Sequence, residues 1–352
     1  MRILFAGCNW HGSNARSCAE SLRRLGYNVL DIDEQTFFPE CTRFTSRIVR
    51  RLFWFRMVDE FNRNILAEAK RFRPDIFIAF KGNYIEPETL QHLRKAGITL
   101  YNYYPDTSAF SHGKWLARSL PEYDCIFYTK PFWYGDVIKR IPLKSGVFLP
   151  HGYSPELHRP VVLDAVDRSD CGCDVSFIAA HMPHKEQILS GLISLRPDLD
   201  LRIWGWRWAE RCQTAALRRC IMGYPILGEA CVRAIIASRI NLAIMSGRVA
   251  GASSGDLTTS RTYTIPASGG FMLHERNPEV LELYREGQEI ECFDTVEELA
   301  EKIDYYLAHP EERERIAKAG HARCVPAYSY DNRMAELMRC HFERRSNMLP
   351  NP

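Results

Sequence analysis

The first 33 residues, MRILFAGCNWHGSNARSCAESLRRLGYNVLDID (1–33), decide the fold class. RILFAG is an unbroken apolar run of strand length. SNARSCAESLRRLG carries apolar positions at helical spacing and closes on Gly26, a natural helix stop. YNVLDID then returns to strand character. A strand, a helix and a second strand within some 30 residues form the unit from which parallel sheets are built.

The pattern continues outward. PDIFIAF, ITLYNYY, YDCIFYT and SGVFLP read as further strands, and EPETLQHLRKAG as a helix with proline near its start and glycine at its end. LPHGYSPELHRPV, residues 149–161, has three prolines and no period, which predicts a linker. The alternation then restarts. CDVSFIAAH, DLDLRIWG, INLAIM, GGFML and QEIECFD read as strands, with helices from about Lys185 to Leu195, over GEACVRAIIASR, and after the TVEE capping signal at Thr295–Glu298. HPEERERIAKAG opens a last helical stretch with Pro310 at its first position.

The expected class is α/β, two Rossmann-like doubly wound domains facing each other across a cleft. The expected boundaries are 1–150 and 151–328, with a C-terminal helix at 329–352 packing back toward the first domain. Ligands of open parallel sheets bind beyond the carboxyl ends of the strands, so the site is expected between the domains.

Composition fits an ordinary globular chain of 352 residues, 46% hydrophobic and 25% charged. MRILFAGCNW turns polar too early for a signal-peptide core, and no run approaches membrane-spanning length. Twelve cysteines lie scattered without a Cys-x-x-Cys pair, as expected of reduced thiols in the cytoplasm. Charge is uneven. Residues 1–150 hold 22 Lys/Arg against 15 Asp/Glu, and residues 151–352 hold 24 against 28, so the halves carry +7 and −4 and are expected to meet different partners.

Several chemistries are disfavoured. Gly7 and Gly12 do not give the G-x-G-x-x-G spacing of a dinucleotide fingerprint. Asp31-Ile-Asp33 imitates a metal-binding D-x-D but ends a strand, where such a pair commonly flanks a turn. The histidines lack metal-ligand spacing, so no metal site is expected. No nucleic-acid partner is expected.

DLTTSRTYTIPASGG, residues 256–270, is different. Thr258, Thr259 and Ser260 are good N-cap residues for a short helix that Gly269-Gly270 would end. The N-terminus of a helix attracts phosphate. Arg261 in the first turn has the wrong sign for the helix dipole, and a bound anion would remove that conflict.

From Asp256 to Arg333, through SRTYTIPASGGF, the chain resembles the C-terminal region of CgeB-like glycosyltransferases, relatives of the retaining GT-B group that includes family 4. Looser similarity extends back through LPHGYSPELHRP, DVSFIAAH and RIWGW. The resemblance implies transfer of a sugar from a nucleotide-diphosphate sugar to an acceptor hydroxyl, retaining and metal-independent, with no cofactor. It implies that Asp256 and Thr264, eight positions apart, take the places of two acids that hold the donor's sugar and ribose, with Thr264 departing from the usual Glu. It further implies Lys185 near the diphosphate, Gly205 and Trp206 near the base or donor sugar, and Arg261 and Gly269 in the donor site. Cations and preorganised amides at a departing diphosphate stabilise its new charge without a metal.

In the first half, YNYYPDTSAFSHG follows a strand and brings Asp106 and His112 close in sequence. Asp106 is expected to orient or deprotonate the acceptor, and His11 to touch the donor sugar. Residues 43–73 hold nine Lys/Arg and three Asp/Glu. Read as a helix, Arg47, Arg50, Arg51 and Trp54 form one stripe and Ile48, Leu52 and Phe55 a neighbouring apolar one. The alternatives are a solvated face over a core-packing helix, or a tryptophan-edged face for an anionic acceptor or for headgroups at the inner face of the membrane. The acceptor class stays open among glycan, lipid-linked, protein and small-molecule hydroxyls. Two other functions also stay open, a sugar-nucleotide epimerase on the same fold and a non-catalytic nucleotide-sugar binding protein.

Overall fold

The computed structural model describes residues 1–38, 44–111 and 114–348. It divides into two compact units. The first comprises Met1–Pro150, Arg248–Ser254 and Arg333–Pro352, the second His151–Gly247 and Gly255–Asn332.

The first unit is built on a six-stranded parallel sheet of β1 (Arg2–Gly7), β2 (Asn28–Asp33), β3 (Ile76–Phe80), β4 (Thr99–Tyr104), β5 (Cys125–Tyr128) and β6 (Gly146–Phe148). Its order is β2-β1-β3-β4-β5-β6, with the reversal between β1 and β3. Central strands are apolar on both faces because helices cover both, and Ile3, Leu4, Phe77 and Ile78 are fully enclosed. Asp31 pairs with Arg23 at 2.6 Å, while Asp33 accepts from the Gln35 and Asn9 amides at 3.0 Å. Both carboxylates of the D-x-D lookalike thus hold local structure. The C-terminal helix Tyr330–Met348 joins this unit from Arg333 onward, where Tyr101 Oη meets His341 Nδ1 at 3.0 Å. Residues 248–254 also belong here, far from the unit's other residues in sequence, and no sequence signal pointed to that.

The long helix Phe44–Phe72 corrects one expectation. Trp54 turns inward, 5.5 Å from the Phe38 ring and edge-on to Tyr84 at 5.1 Å. Leu52 and Phe55, expected on the neighbouring apolar stripe, are 74% and 66% exposed. The seam that packs on the sheet runs through Val58, Phe61 and Ile65, and extending it backward brings Trp54 to the core. Trp54 therefore packs inward instead of edging an exposed basic face. Arg51 is exposed, and the side chains of Arg47 and Arg50 lie outside the described residues.

The second unit has a five-stranded parallel sheet of β7 (Val175–Ile178), β8 (Leu201–Trp204), β9 (Ile240–Ala243), β10 (Met272–Glu275) and β11 (Glu291–Phe293), in the order β11-β10-β9-β7-β8. Thr295 caps the helix Val296–Ala308 by accepting from the Glu298 amide, but Glu298 reaches back to the amide of Asp294 rather than to that of Thr295. Among the described residues no helix is long and apolar enough to cross a membrane.

Candidate donor site

The second unit gathers its charged groups at the carboxyl ends of β7, β9 and β10. The helix Pro183–Leu195 follows β7, with Pro183 in its first turn and Met182 as an N-cap that offers no capping side chain. Helix-start amides have no partner within the helix, so this terminus presents donors. Lys185 lies in that first turn, only 4% exposed, its Nζ donating to the Ala180 carbonyl at 3.3 Å. Burial and then the nearby Arg261 guanidinium push its pKa down to about 7, against the pull of Asp256 and Glu275.

Arg261 sits in the first turn of the Ser260–Ala267 helix. Its Nη2 donates to the Ile244 carbonyl at 2.8 Å, its guanidinium lies 5.6 Å over the Phe177 ring, and its buried Nε has no hydrogen-bond partner. Burial lowers its pKa to about 10, opposed mainly by Asp256. Asp256 is therefore the carboxylate that acts on both cations. Its amide donates to the Ser246 carbonyl at 2.9 Å.

The short helix that carries Arg261 is held in an unusual way. Thr259 is its N-cap, and the Thr259 amide donates back to the Thr262 hydroxyl at 3.1 Å. Pro266 lies inside the helix and cannot donate to the Thr262 carbonyl. The Tyr284 hydroxyl donates to that carbonyl instead, at 3.0 Å. Thr262 also bonds His274 Nε2 at 3.0 Å, and burial pushes the His274 pKa down to about 4, so this imidazole is neutral.

The expected donor residues separate into groups. Lys185, Arg261 and Asp256 come together. Thr259 is the N-cap with a buried Oγ1, and Ser260 begins the helix. Thr264 is largely buried and lines a cavity of about 30 Å³ with Arg261, Ser176, Asn241 and Cys231. Gly205 follows β8 at φ +152°, where a Cβ would fall 1.9 Å from the Ala179 carbonyl oxygen. Trp206 beside it is 44% exposed.

Two placements are corrections. Thr258 is fully buried and donates its hydroxyl to Glu279 at 2.8 Å, so it braces the fold. Gly269 follows the other end of the helix, about 12 Å along the axis from its start. Its φ of +87° and the bonds Gly269 N–Pro266 O and Gly270 N–Ile265 O make it a helix stop.

Sequence reasoning missed Glu275 and its neighbours. Glu275 ends β10, accepts the Met245 amide at 2.8 Å and meets His184 Nε2 at 2.9 Å. His181 donates to Glu186 at 2.6 Å, and Glu186 also accepts from Gln213 and Thr214. These bonds overcome burial and hold the Glu186 carboxyl down at about 2. The run HMPHKE directly after a strand was the available signal.

In the first unit, Asp106 follows β4 and pairs with Lys81 Nζ at 2.6 Å. His11 is exposed in the loop after β1. His112 lies outside the described residues.

Comparison with known proteins now adds to this geometry. Residues 184–339 match a family model described as Glycosyl transferase-like. That segment is a glycosyltransferase-type enzyme domain. It begins at the first turn of the Lys185 helix and includes Arg261, Asp256 and Glu275. A search of curated proteins finds no match. Sucrose-phosphate synthase from Thermosynechococcus elongatus superimposes with a TM-score of 0.71 at 12% identity, covering 99% of this chain and 100% of that one. HepE from Anabaena, in complex with UDP and glucose, gives 0.66 at 11%, covering 97% and 100%. A putative UDP-N-acetylglucosamine 2-epimerase from Listeria monocytogenes gives 0.54 at 10%, covering 97% of each chain. The fold is GT-B.

Proposed function

We propose that this chain transfers a sugar from a nucleoside diphosphate sugar to an acceptor hydroxyl, with the donor bound by the second unit. The observation that carries the reading is the convergence of two cations, the buried Lys185 and the half-buried Arg261 with its buried Nε, at helix starts on the carboxyl side of a parallel sheet. Two cations sharing the Asp256 carboxylate leave net positive charge, which a diphosphate would balance. Arg261 Nε offers a further donor. HepE, which shares the fold, was crystallised with UDP and with UDP-glucose, which makes a uridine diphosphate sugar the first donor to try.

In this reading Lys185 and Arg261 neutralise the diphosphate as the sugar–phosphate bond breaks, and helix amides add fixed partial charge. No metal is needed for that role. Asp256 restrains the two cations, and Glu275 positions His184 and the Met245 amide at the same strand ends. Asp106 is the candidate to orient the acceptor hydroxyl, with Lys81 fixing the position of its carboxylate. Retention at the anomeric carbon is part of the proposal. So is a peripheral bilayer contact through the exposed Leu52, Phe53 and Phe55, beside Arg51 and Arg56.

The test is a thermal-shift screen against uridine, guanosine, thymidine and cytidine diphosphates and their sugars, followed by product analysis. A ligand at a hundredfold its Kd stabilises by roughly 2.7 kcal/mol. Transfer to an acceptor is expected. Conversion of the sugar nucleotide to an epimer without acceptor would replace this reading with the epimerase one.

A further inference from the structure

The first unit contains a cavity of about 460 Å³ that none of the expected site residues lines. One wall is the end of the Trp133–Ile138 helix and the residues after it, with Asp136, Lys139 and Arg140. The other is the segment from Arg248 to Ser253. This size suits a small ligand rather than a polymer.

The segment is fixed in place. Asp136 accepts the Ser253 amide at 2.7 Å, and Ser108 Oγ donates to the Ala250 carbonyl at 2.8 Å. Gly251 has φ +84°, and a Cβ there would lie 2.9 Å from Ser108 Oγ and from the Phe110 ring. Glycine is therefore required twice over, by conformation and by space. Asp136 spends its charge locally, taking the Ser253 amide and lying 3.8 Å from Lys139 Nζ. Arg140 stacks over Phe110 at 4.7 Å, which orients its planar fork. Among the described residues no carboxylate pairs with Arg140 or Arg248. Three cations against one committed carboxylate leave the cavity positive.

The cavity walls also touch the loop that carries Asp106. Ser108 and Phe110 belong to the loop that carries Asp106, and Tyr104, the last residue of β4, donates its hydroxyl to the Ser108 carbonyl at 2.7 Å. One loop therefore bears Asp106 and buttresses the cationic wall.

We propose that this cavity binds the phosphate of a small phosphorylated acceptor, a sugar or polyol phosphate monoester whose free hydroxyl is the group glycosylated. The assignment deepens the transferase reading and rests on it for the fate of that hydroxyl. Paired guanidinium forks match phosphate oxygens, and Lys139 adds a mobile third cation.

The test is calorimetric titration of the full chain at low ionic strength with glucose 6-phosphate, glycerol 3-phosphate and inorganic phosphate. Glucose and glycerol serve as uncharged controls. The variant is the combined Lys139→Gln, Arg140→Gln, Arg248→Gln, all at exposed positions. At least one phosphate ester is expected to bind the wild type about tenfold more tightly than its uncharged parent, and the variant to lose that preference. An Arg248→Lys variant is expected to keep part of it. Uridine diphosphate titrated into the same samples scores the donor site separately, so failure of the transferase reading appears there alone. Lack of binding by all three phosphates overturns the proposal. So does equal binding by variant and wild type, or binding only to phosphatidic-acid vesicles.

Discussion

Arg261 makes Lys185 release its proton more readily, an effect second only to burial, and together they bring the Lys185 pKa down to about 7. In the ligand-free protein the lysine therefore changes charge near neutral pH, whereas a bound diphosphate would hold it protonated. Uridine diphosphate affinity is expected to fall as pH rises from about 6 to 9, because binding must take up a proton. The comparison is with Lys185→Met, since the ligand's own titration is common to both proteins. The wild-type advantage should shrink across that range, and a constant ratio would remove Lys185 from the site. Stability has the opposite sign. The folded pKa lies below the usual lysine value of 10.5, so the unfolded chain holds the proton longer and stability rises as pH climbs from about 7 toward that value. Lys185→Met should raise Tm most at pH 6.

Arg261→Ala should depress turnover far more than stability. The loss of one preorganised donor at a developing charge costs about 2.7–4 kcal/mol, or roughly 10²–10³ in kcat. The fold loses one bond to the Ile244 carbonyl and the contact with Phe177. Steady-state kinetics beside thermal melts separate the two effects. An unchanged kcat in a folded variant would exclude Arg261. EDTA should leave wild-type activity intact, and a strict magnesium or manganese requirement would contradict charge neutralisation by side chains alone.

Every strand of both sheets was legible, because a strand covered on both faces must be apolar at consecutive positions, as in RILFAG and INLAIM. Arg261 was legible for a different reason, since its sign conflicts with the helix it begins. Glu275 was not. Its role depends on β10 ending beside the Met245 amide and His184, both remote in sequence. The Trp54 stripe failed because helical periodicity defines faces without saying which one meets the sheet. The Arg248–Ser253 wall was invisible because Gly and Ser runs look alike whether they pack or not.

Gly205→Ala tests the junction after β8. The added methyl would meet the Ala179 carbonyl, which the Trp208 indole already uses as an acceptor at 2.8 Å. The backbone conformation there is also one that side chains rarely adopt. A loss of more than about 2 kcal/mol is expected in urea unfolding, from strain and displaced backbone together. A change below about 0.5 kcal/mol would show that the loop shifts freely and that Gly205 is not fixed by its geometry.

Thr264→Glu should fold. The side chain would grow toward the 30 Å³ cavity, where Arg261 Nε lacks a partner. A carboxylate placed there gains a charge-assisted bond and offers a stronger acceptor to a ribose hydroxyl. Uridine diphosphate should bind at least as tightly as to the wild type, with Tm within about 4 °C of it. A much larger fall in Tm would identify Thr264 as a packing residue that tolerates no charge.

The exposed face of the Phe44–Phe72 helix gives the last prediction. Leu52, Phe53 and Phe55 are exposed, as are Arg51 and Arg56 beside them. Apolar side chains flanked by arginines suit the boundary between acyl chains and anionic headgroups, where each basic residue contributes about 1 kcal/mol. The wild type should sediment with phosphatidylglycerol vesicles and not with phosphatidylcholine vesicles. Salt should weaken the association, because the attraction falls off within a Debye length. Leu52→Ser combined with Phe55→Ser should abolish binding at every salt concentration with Tm within about 4 °C of the wild type, since both side chains are mostly exposed. Arg51→Ser and Arg56→Ser should weaken binding only at low salt. Equal sedimentation of the apolar double variant and the wild type would return this face to solvent.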